Sequence, residues 1–150
     1  MQLTPHFTLA ELTHTDLAGY EIDQAEGAAR VLPALRATAA LLEEVRALLG
    51  GRPIVVHSGY RCPRLNAAIG GSVQSQHMSG QAADWHVVGL ELEAAFGAIR
   101  QSPLRWGQLI LEGTRPGRPS WIHLSLGAPW RPEARCQQVL VYDGTRYRSV

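Results

Sequence analysis

Gly70-Gly71-Ser72-Val73-Gln74-Ser75-Gln76-His77-Met78-Ser79-Gly80 runs directly into Gln81-Ala82-Ala83-Asp84-Trp85-His86-Val87-Val88, and the change of pattern between the two halves decides how the fold is read. The first half has no hydrophobic periodicity and is rich in glycine and serine, which predicts a loop. From Ala82 to Val88 the side chains alternate, which predicts a strand with Asp84 and His86 on one face and Trp85 and Val87 on the other. A loop carrying His77 therefore feeds a strand carrying Asp84.

Working outward, Leu35, Ala39, Leu42, Val45 and Leu49 recur at helical spacing, which predicts one amphipathic helix over Ala29 to Leu49. Pro33 suits its first turn, and Gly50-Gly51 supply its end. Ile54 to His57 reads as a short strand stopped at Ser58-Gly59, and Pro63 to Ile69 as one or two helical turns. Beyond the central strand, Leu90 to Ser102 predicts a second helix with Leu92, Ala95, Phe96 and Ile99 inward. Trp106 to Glu112 and Trp121 to Leu126 predict an antiparallel pair of strands joined by a Gly/Pro-rich connection. Val139 to Tyr142 and Thr145 to Arg148 flank Asp143-Gly144, a favoured two-residue hairpin turn. Early helices and late hairpins describe an α+β fold, a mostly antiparallel β-sheet with flanking helices. The length of 150 residues fits a single domain, residues 1–150.

Composition narrows the function. Fourteen basic residues, all arginine, face 13 acidic ones for a net charge of +1, so no electrostatic footprint for nucleic acid exists. Without lysine, Schiff-base mechanisms are excluded. Two cysteines, Cys62 and Cys136, are too few for a disulfide framework or a thiolate zinc site; they can pair or stay free. The start, MQLTPHFTLAEL, lacks the basic and apolar regions of a signal peptide, and no apolar run is long enough for membrane insertion. The missing signal peptide predicts synthesis in the cytoplasm, and a monomer is expected.

Six histidines, at positions 6, 14, 57, 77, 86 and 123, stand out in so short and neutral a chain. Catalytic zinc takes three protein ligands and leaves a position for water, and His77, Asp84 and His123 offer two imidazoles and a carboxylate. Their spacing matches no local helical motif, and a lone histidine is more often a surface or satisfied core residue. Spacing alone does not establish a metal site.

The surrounding residues say more. Ser75-Gln76-His77-Met78-Ser79-Gly80-Gln81-Ala82-Ala83-Asp84 matches the pattern S-x-H-x-x-G-x-A-x-D and resembles the zinc D-Ala-D-Ala peptidases, bacterial carboxypeptidases and phage endolysins of hedgehog/DD-peptidase fold. Ser58-Gly59-Tyr60-Arg61, Leu65-Asn66 with Gly70-Gly71, Trp121-Ile122-His123 and the opening His6-Phe7-Thr8-Leu9-Ala10-Glu11-Leu12 are similar to further segments of that family. The resemblance spans roughly Phe7 to Leu126.

It implies one Zn2+ ion held by His77, Asp84 and His123, and a peptidoglycan stem peptide or cross-link as substrate. Zinc would lower the pKa of its water from 15.7 to about 7 and polarise the scissile carbonyl. Arg61 matches the family's arginine for a substrate carboxylate or developing oxyanion, a task suited to a planar guanidinium; the bland reading is a surface salt bridge. Ser75 is expected to contact substrate or support a ligand, and the bland reading is a turn cap. Many relatives carry a carboxylate three residues before the last zinc histidine, where this chain has Ser120. Glu112, ending a Gln108-Leu109-Ile110-Leu111-Glu112 stretch similar to a phage-associated QLI-x-E segment, is the candidate general base. It shares a face with His123 only if it pairs with an odd-numbered residue such as Trp121, since a one-residue slip turns every side chain over. His86 competes as a ligand or serves as a pocket wall, His57 is a possible cleft residue, and His6 and His14 are expected at the surface. The four tryptophans are expected mostly in the core, with Trp121 beside the site. The expectation is a zinc peptidase, carboxypeptidase or endopeptidase, in the manner of a phage lysin or virion-associated enzyme released to the wall. The alternative is a non-catalytic zinc-containing module that binds cell wall or serves a phage particle.

Overall fold

A computed structural model describes residues 1–113, 118–127, 130 and 137–150. The predicted connection after Glu112 falls partly outside these residues and Cys136 wholly; among the described residues, Cys62 is a buried free thiol.

Five α-helices and six strands are described: α1 Leu9–Thr13, α2 Glu21–Arg30, α3 Leu32–Leu48, β1 Ile54–Ser58, α4 Pro63–Ala68, β2 Ala82–Val87, α5 Leu92–Gln101, β3 Gln108–Glu112, β4 Trp121–Ser125, β5 Gln138–Tyr142 and β6 Tyr147–Ser149. A 3-10 turn, Gln76–Ser79, interrupts the predicted loop. The strands form one sheet in the order β1-β2-β4-β3-β5-β6. Every pairing is antiparallel except β3 with β5, which is parallel. This is the predicted α+β class, with one pairing that the hairpin signals do not reveal.

Alternation divides the sheet into two faces. Ala83, Trp85 and Val87 of β2, Leu109 and Leu111 of β3, and Ile122 and Leu124 of β4 point into the core. There they meet Leu35, Leu42 and Val45 of α3 and Ala95, Phe96 and Ile99 of α5. Burying each large apolar side chain in this layer contributes roughly 1.5–3 kcal/mol. The opposite face carries Asp84, His123, Ile110 and Glu112, and a cleft opens over it.

The helix expected from Ala29 to Leu49 is α3, which starts at Leu32 because Val31 leaves helical geometry (φ −108°, ψ 15°) after α2, to which Ala29 and Arg30 belong. Pro33, in the first turn of α3, cannot donate to the preceding turn and would collide with it. Helix α2 escapes the periodicity because it is largely polar, burying only Gln24 and Ala28. Helix α1 is short but has a complete capping box, Thr8 with Glu11, a signal present in the chain. Trp85 and Trp106 are core residues as expected, whereas Trp130 is exposed. Among the described residues, no helix is long and apolar enough to cross a membrane.

Candidate metal centre

β2 and β4 are direct neighbours with Asp84 opposite His123. That register brings His123 Nδ1 to 2.8 Å from Asp84 Oδ1. His77 arrives from the 3-10 turn, with Nε2 3.3 Å from Asp84 Oδ2. One donor atom from each residue lies within 4.8 Å of the others, so the three can hold a single metal ion.

Each support of His77 has a local cause. Ser75 caps the 3-10 turn, its Oγ accepting from the His77 N–H at 3.3 Å. Gly80 ends the turn in the left-handed region (φ +69°), and its carbonyl accepts from the buried Thr38 hydroxyl of α3 at 2.8 Å. The imidazole Nδ1 lies 2.7 Å from the Gly59 carbonyl. A carbonyl only accepts, so Nδ1 carries the proton and the Nε2 lone pair is directed at Asp84. Gly59 is glycine for a steric reason: a Cβ there would stand 2.3 Å from the Leu12 carbonyl oxygen. Leu12 also accepts from the Tyr60 N–H at 2.7 Å, so α1 fixes the Ser58–Arg61 segment.

The donor set suits a cation. His77 Nε2 and His123 Nε2 are buried without a hydrogen-bond partner of proper geometry, which is costly unless something satisfies them. Burial opposes ionisation of Asp84, but the neighbouring His77 and the hydrogen bond from His123 Nδ1 outweigh it and hold the carboxyl far below the usual carboxylate range. Burial pushes the His77 pKa down, which Asp84 only partly opposes, so the ring favours the neutral, ligating form. These residues fit a single ion.

Arg61 is not a surface ion pair. Its guanidinium stands 3.6 Å from Asp84 Oδ2, with both side chains largely buried. Nη1 lies 3.4 Å from Asn66 Oδ1, and Asn66 in turn donates to the Ser72 carbonyl at 2.9 Å. Asn66 thus joins the arginine to the loop at the cleft rim, and Gly71 is needed there because a Cβ would stand 2.2 Å from the Asn66 amide oxygen. Leu65-Asn66 and Gly70-Gly71 were visible as family-like pairs; their mutual contact was not.

Glu112 pairs with Trp121, while Ile110 pairs with His123. The carboxylate therefore shares the face of His123 and sits diagonally from it, a separation of about 7–8 Å between diagonal neighbours. Burial raises the Glu112 pKa, against a lowering hydrogen bond from Tyr147. Tyr147 Oη donates to Glu112 Oε1 and Oε2 at 3.1 and 3.2 Å. No motif marks Tyr147; its only signal is its place after the Asp143-Gly144 turn.

A cleft of about 780 Å3 runs over this face, lined by Arg61, Ser75, His77, Asp84, Glu112, Trp121, His123 and Tyr147 among others. All the sequence-predicted site residues are gathered here. His86 and His57 are not: a bulge between Val56 and Ser58 takes His57 out of the β1–β2 ladder, and His57 Nε2 lies 2.7 Å from His86 Nδ1 with the rings stacked. The pair lines a neighbouring hollow with Glu91 and Ser120, so Ser120 faces that hollow and not the cleft. His6 and His14 are exposed and lie against Glu43 and Asp16.

Fold and site together define a protein built around a one-metal His-Asp-His centre on the open face of a sheet. The peptidase M15 family model matches residues 5–125, and the chain belongs to that family. It is also 36% identical over 81 residues to the zinc D-Ala-D-Ala carboxypeptidase of Streptomyces albus G. That alignment covers 53% of this chain and 30% of the relative's own length.

Proposed function

We propose that this chain is a zinc metallopeptidase that hydrolyses peptidoglycan stem peptides. The observation that carries the reading is the pair of buried, unpartnered imidazole nitrogens at an ionised Asp84 on the floor of a cleft. Family membership and the relative's zinc and D-Ala-D-Ala specificity point to the same metal and substrate class.

His77, Asp84 and His123 would hold the ion, which when bound supplies a Lewis acid and acidifies water. The chain's own residues do the rest. Glu112 takes the proton of the attacking water on its carboxylate and returns it to the leaving amine. Its raised pKa suits both steps, because a base works best with a pKa near the operating pH. Arg61 presents its guanidinium to a substrate carboxylate or the oxyanion that develops on the attacked carbonyl. Ser75, at the rim, positions His77 through its cap and offers a polar contact to the peptide. The net charge of +1 gives these 150 residues no polycationic grip on the wall, so within them recognition is assigned to the cleft.

Elemental analysis of protein purified without added metal should find one zinc per chain. Cell-wall digestion should stop with chelator and resume with zinc. Mass spectrometry of the products separates release of terminal D-alanine from cross-link cleavage; the latter is the form expected of a phage lysin or virion-borne enzyme. Absence of zinc, or digestion indifferent to chelator, would refute the proposal. Zinc-dependent wall binding without cleavage would instead establish the non-catalytic module that Ser120 leaves open.

A further inference from the structure

We propose that Tyr147 is a positioning residue for Glu112, supplied by a carboxy-terminal hairpin that lies beyond the family-matched residues. The inference rests on the role of Glu112 proposed above. The match ends at residue 125, whereas the hairpin begins at Gln138.

Three features of the fold bring the hydroxyl to the carboxylate. β5 pairs in parallel with β3, the strand that carries Glu112, through Gln108 with Gln138 to Leu111 with Val141. β6 then returns beside β5, placing Tyr147 opposite Tyr142, and the two rings pack at 4.9 Å between centroids. The turn between them is held by Asp143, whose Oδ1 accepts from the N–H groups of Thr145 and Arg146 at 3.0 Å each. The tyrosine hydroxyl is therefore delivered by a braced hairpin.

Its geometry at Glu112 is specific. One O–H faces both carboxylate oxygens at nearly equal distances, 3.1 and 3.2 Å. Among the described residues, no other side chain hydrogen-bonds this carboxylate. A carboxylate has about four lone-pair sites, so a shared donor on one edge leaves others free to accept a proton from water. The hydroxyl can thus fix the carboxylate's orientation and favour its ionised form without occupying it. Burial and the adjoining Glu112 carboxylate push the Tyr147 pKa up to about 12, so it remains a donor at any working pH. With Ser120 in place of a carboxylate near His123, the hairpin makes a base carried on β3 usable.

The test uses Tyr147→Phe, which keeps the ring and its packing, with Tyr142→Phe as the control. In Tyr147→Phe, kcat should fall about 3–10-fold with KM and zinc content unchanged, the worth of a typical hydrogen bond. The acidic limb of the kcat profile should rise by about half to one pH unit, since the ionised base has lost a donor. Carboxyl NMR titration of metal-free protein, with Glu112 assigned through Glu112→Gln, should show the same upward shift; Tyr142→Phe should show neither. An unmoved Glu112 titration in Tyr147→Phe overturns the inference, whatever the activity. A wild-type chain that hydrolyses nothing overturns the proposed reaction instead, while the titration still decides whether Tyr147 controls Glu112.

Discussion

Replacing Gly59 by alanine adds one methyl group, and the structure makes its consequence specific. The new Cβ would stand 2.3 Å from the Leu12 carbonyl oxygen and 2.9 Å from both the Leu12 carbonyl carbon and its Cα. All three are backbone atoms at the end of α1, so no side chain can swing away. Restoring van der Waals separation requires the Ser58–Arg61 segment to retreat by about 1 Å. Overpacking of this kind costs about 1–3 kcal/mol, and the Tyr60-to-Leu12 hydrogen bond loosened with it about 1 kcal/mol more. At about 2–4 °C per kcal/mol for a chain of this size, the midpoint of thermal unfolding should fall by about 4–16 °C. The same retreat carries the Gly59 carbonyl away from His77 Nδ1, and losing such a support weakens metal affinity about 10–100-fold. Gly97→Ala is the matched control, because its Cβ meets nothing within 4 Å in the interior of α5. It should stabilise by about 0.4–1 kcal/mol and leave metal binding alone. Differential scanning calorimetry and zinc titration calorimetry of the apo proteins read both effects. A Gly59→Ala protein with wild-type melting and wild-type zinc affinity would refute the reasoning.

Glu112→Gln should retain one zinc and lose about 10²–10⁴-fold in kcat, read by peptide hydrolysis alongside metal analysis; full activity would mean another base. Asp84 ionises more readily folded than unfolded, so its contribution is complete above its unfolded pKa of about 3.9 and is lost as pH falls below it. Urea unfolding of metal-free protein should therefore lose stability with acidification more steeply than Asp84→Asn does, and equal slopes would count against the ion pairs. His57→Ala and His86→Ala should leave the zinc stoichiometry at one, because this pair lies outside the His77-Asp84-His123 cluster; a lost ion in either would make it a ligand. With free zinc at about 100 times its dissociation constant, chelation should remove about 2.7 kcal/mol and lower the melting midpoint by about 5–11 °C.

The site was legible where chemistry depends on residue type in a local pattern. His77, Asp84, His123 and Arg61 stand in motifs whose spacing survives in the chain, and the alternation of Ala82 to Val88 correctly separates Asp84 from Trp85. Residues that act by meeting a distant segment were not legible. Asn66 matters through Arg61 and Ser72, Tyr147 through Glu112, and Gly59 through Leu12, contacts that no local pattern encodes. The expected helix holds, with Pro33 in its first turn, but starts at Leu32, because apolar spacing does not register the departure of Val31 from helical geometry.

By itself the sequence carried the α+β class and the residue types that could hold a metal, because period and motif are properties of the chain alone. Tertiary structure decided the register. Glu112 pairs with Trp121, and a slip by one residue would have turned its carboxylate into the core. It also decided the parallel docking of β5 on β3 and the bulge that sends His57 to His86 instead of the cleft. Pairing between strands depends on how distant segments pack around a shared core, and two registers with the same alternation differ only in the contacts made once the chain has folded.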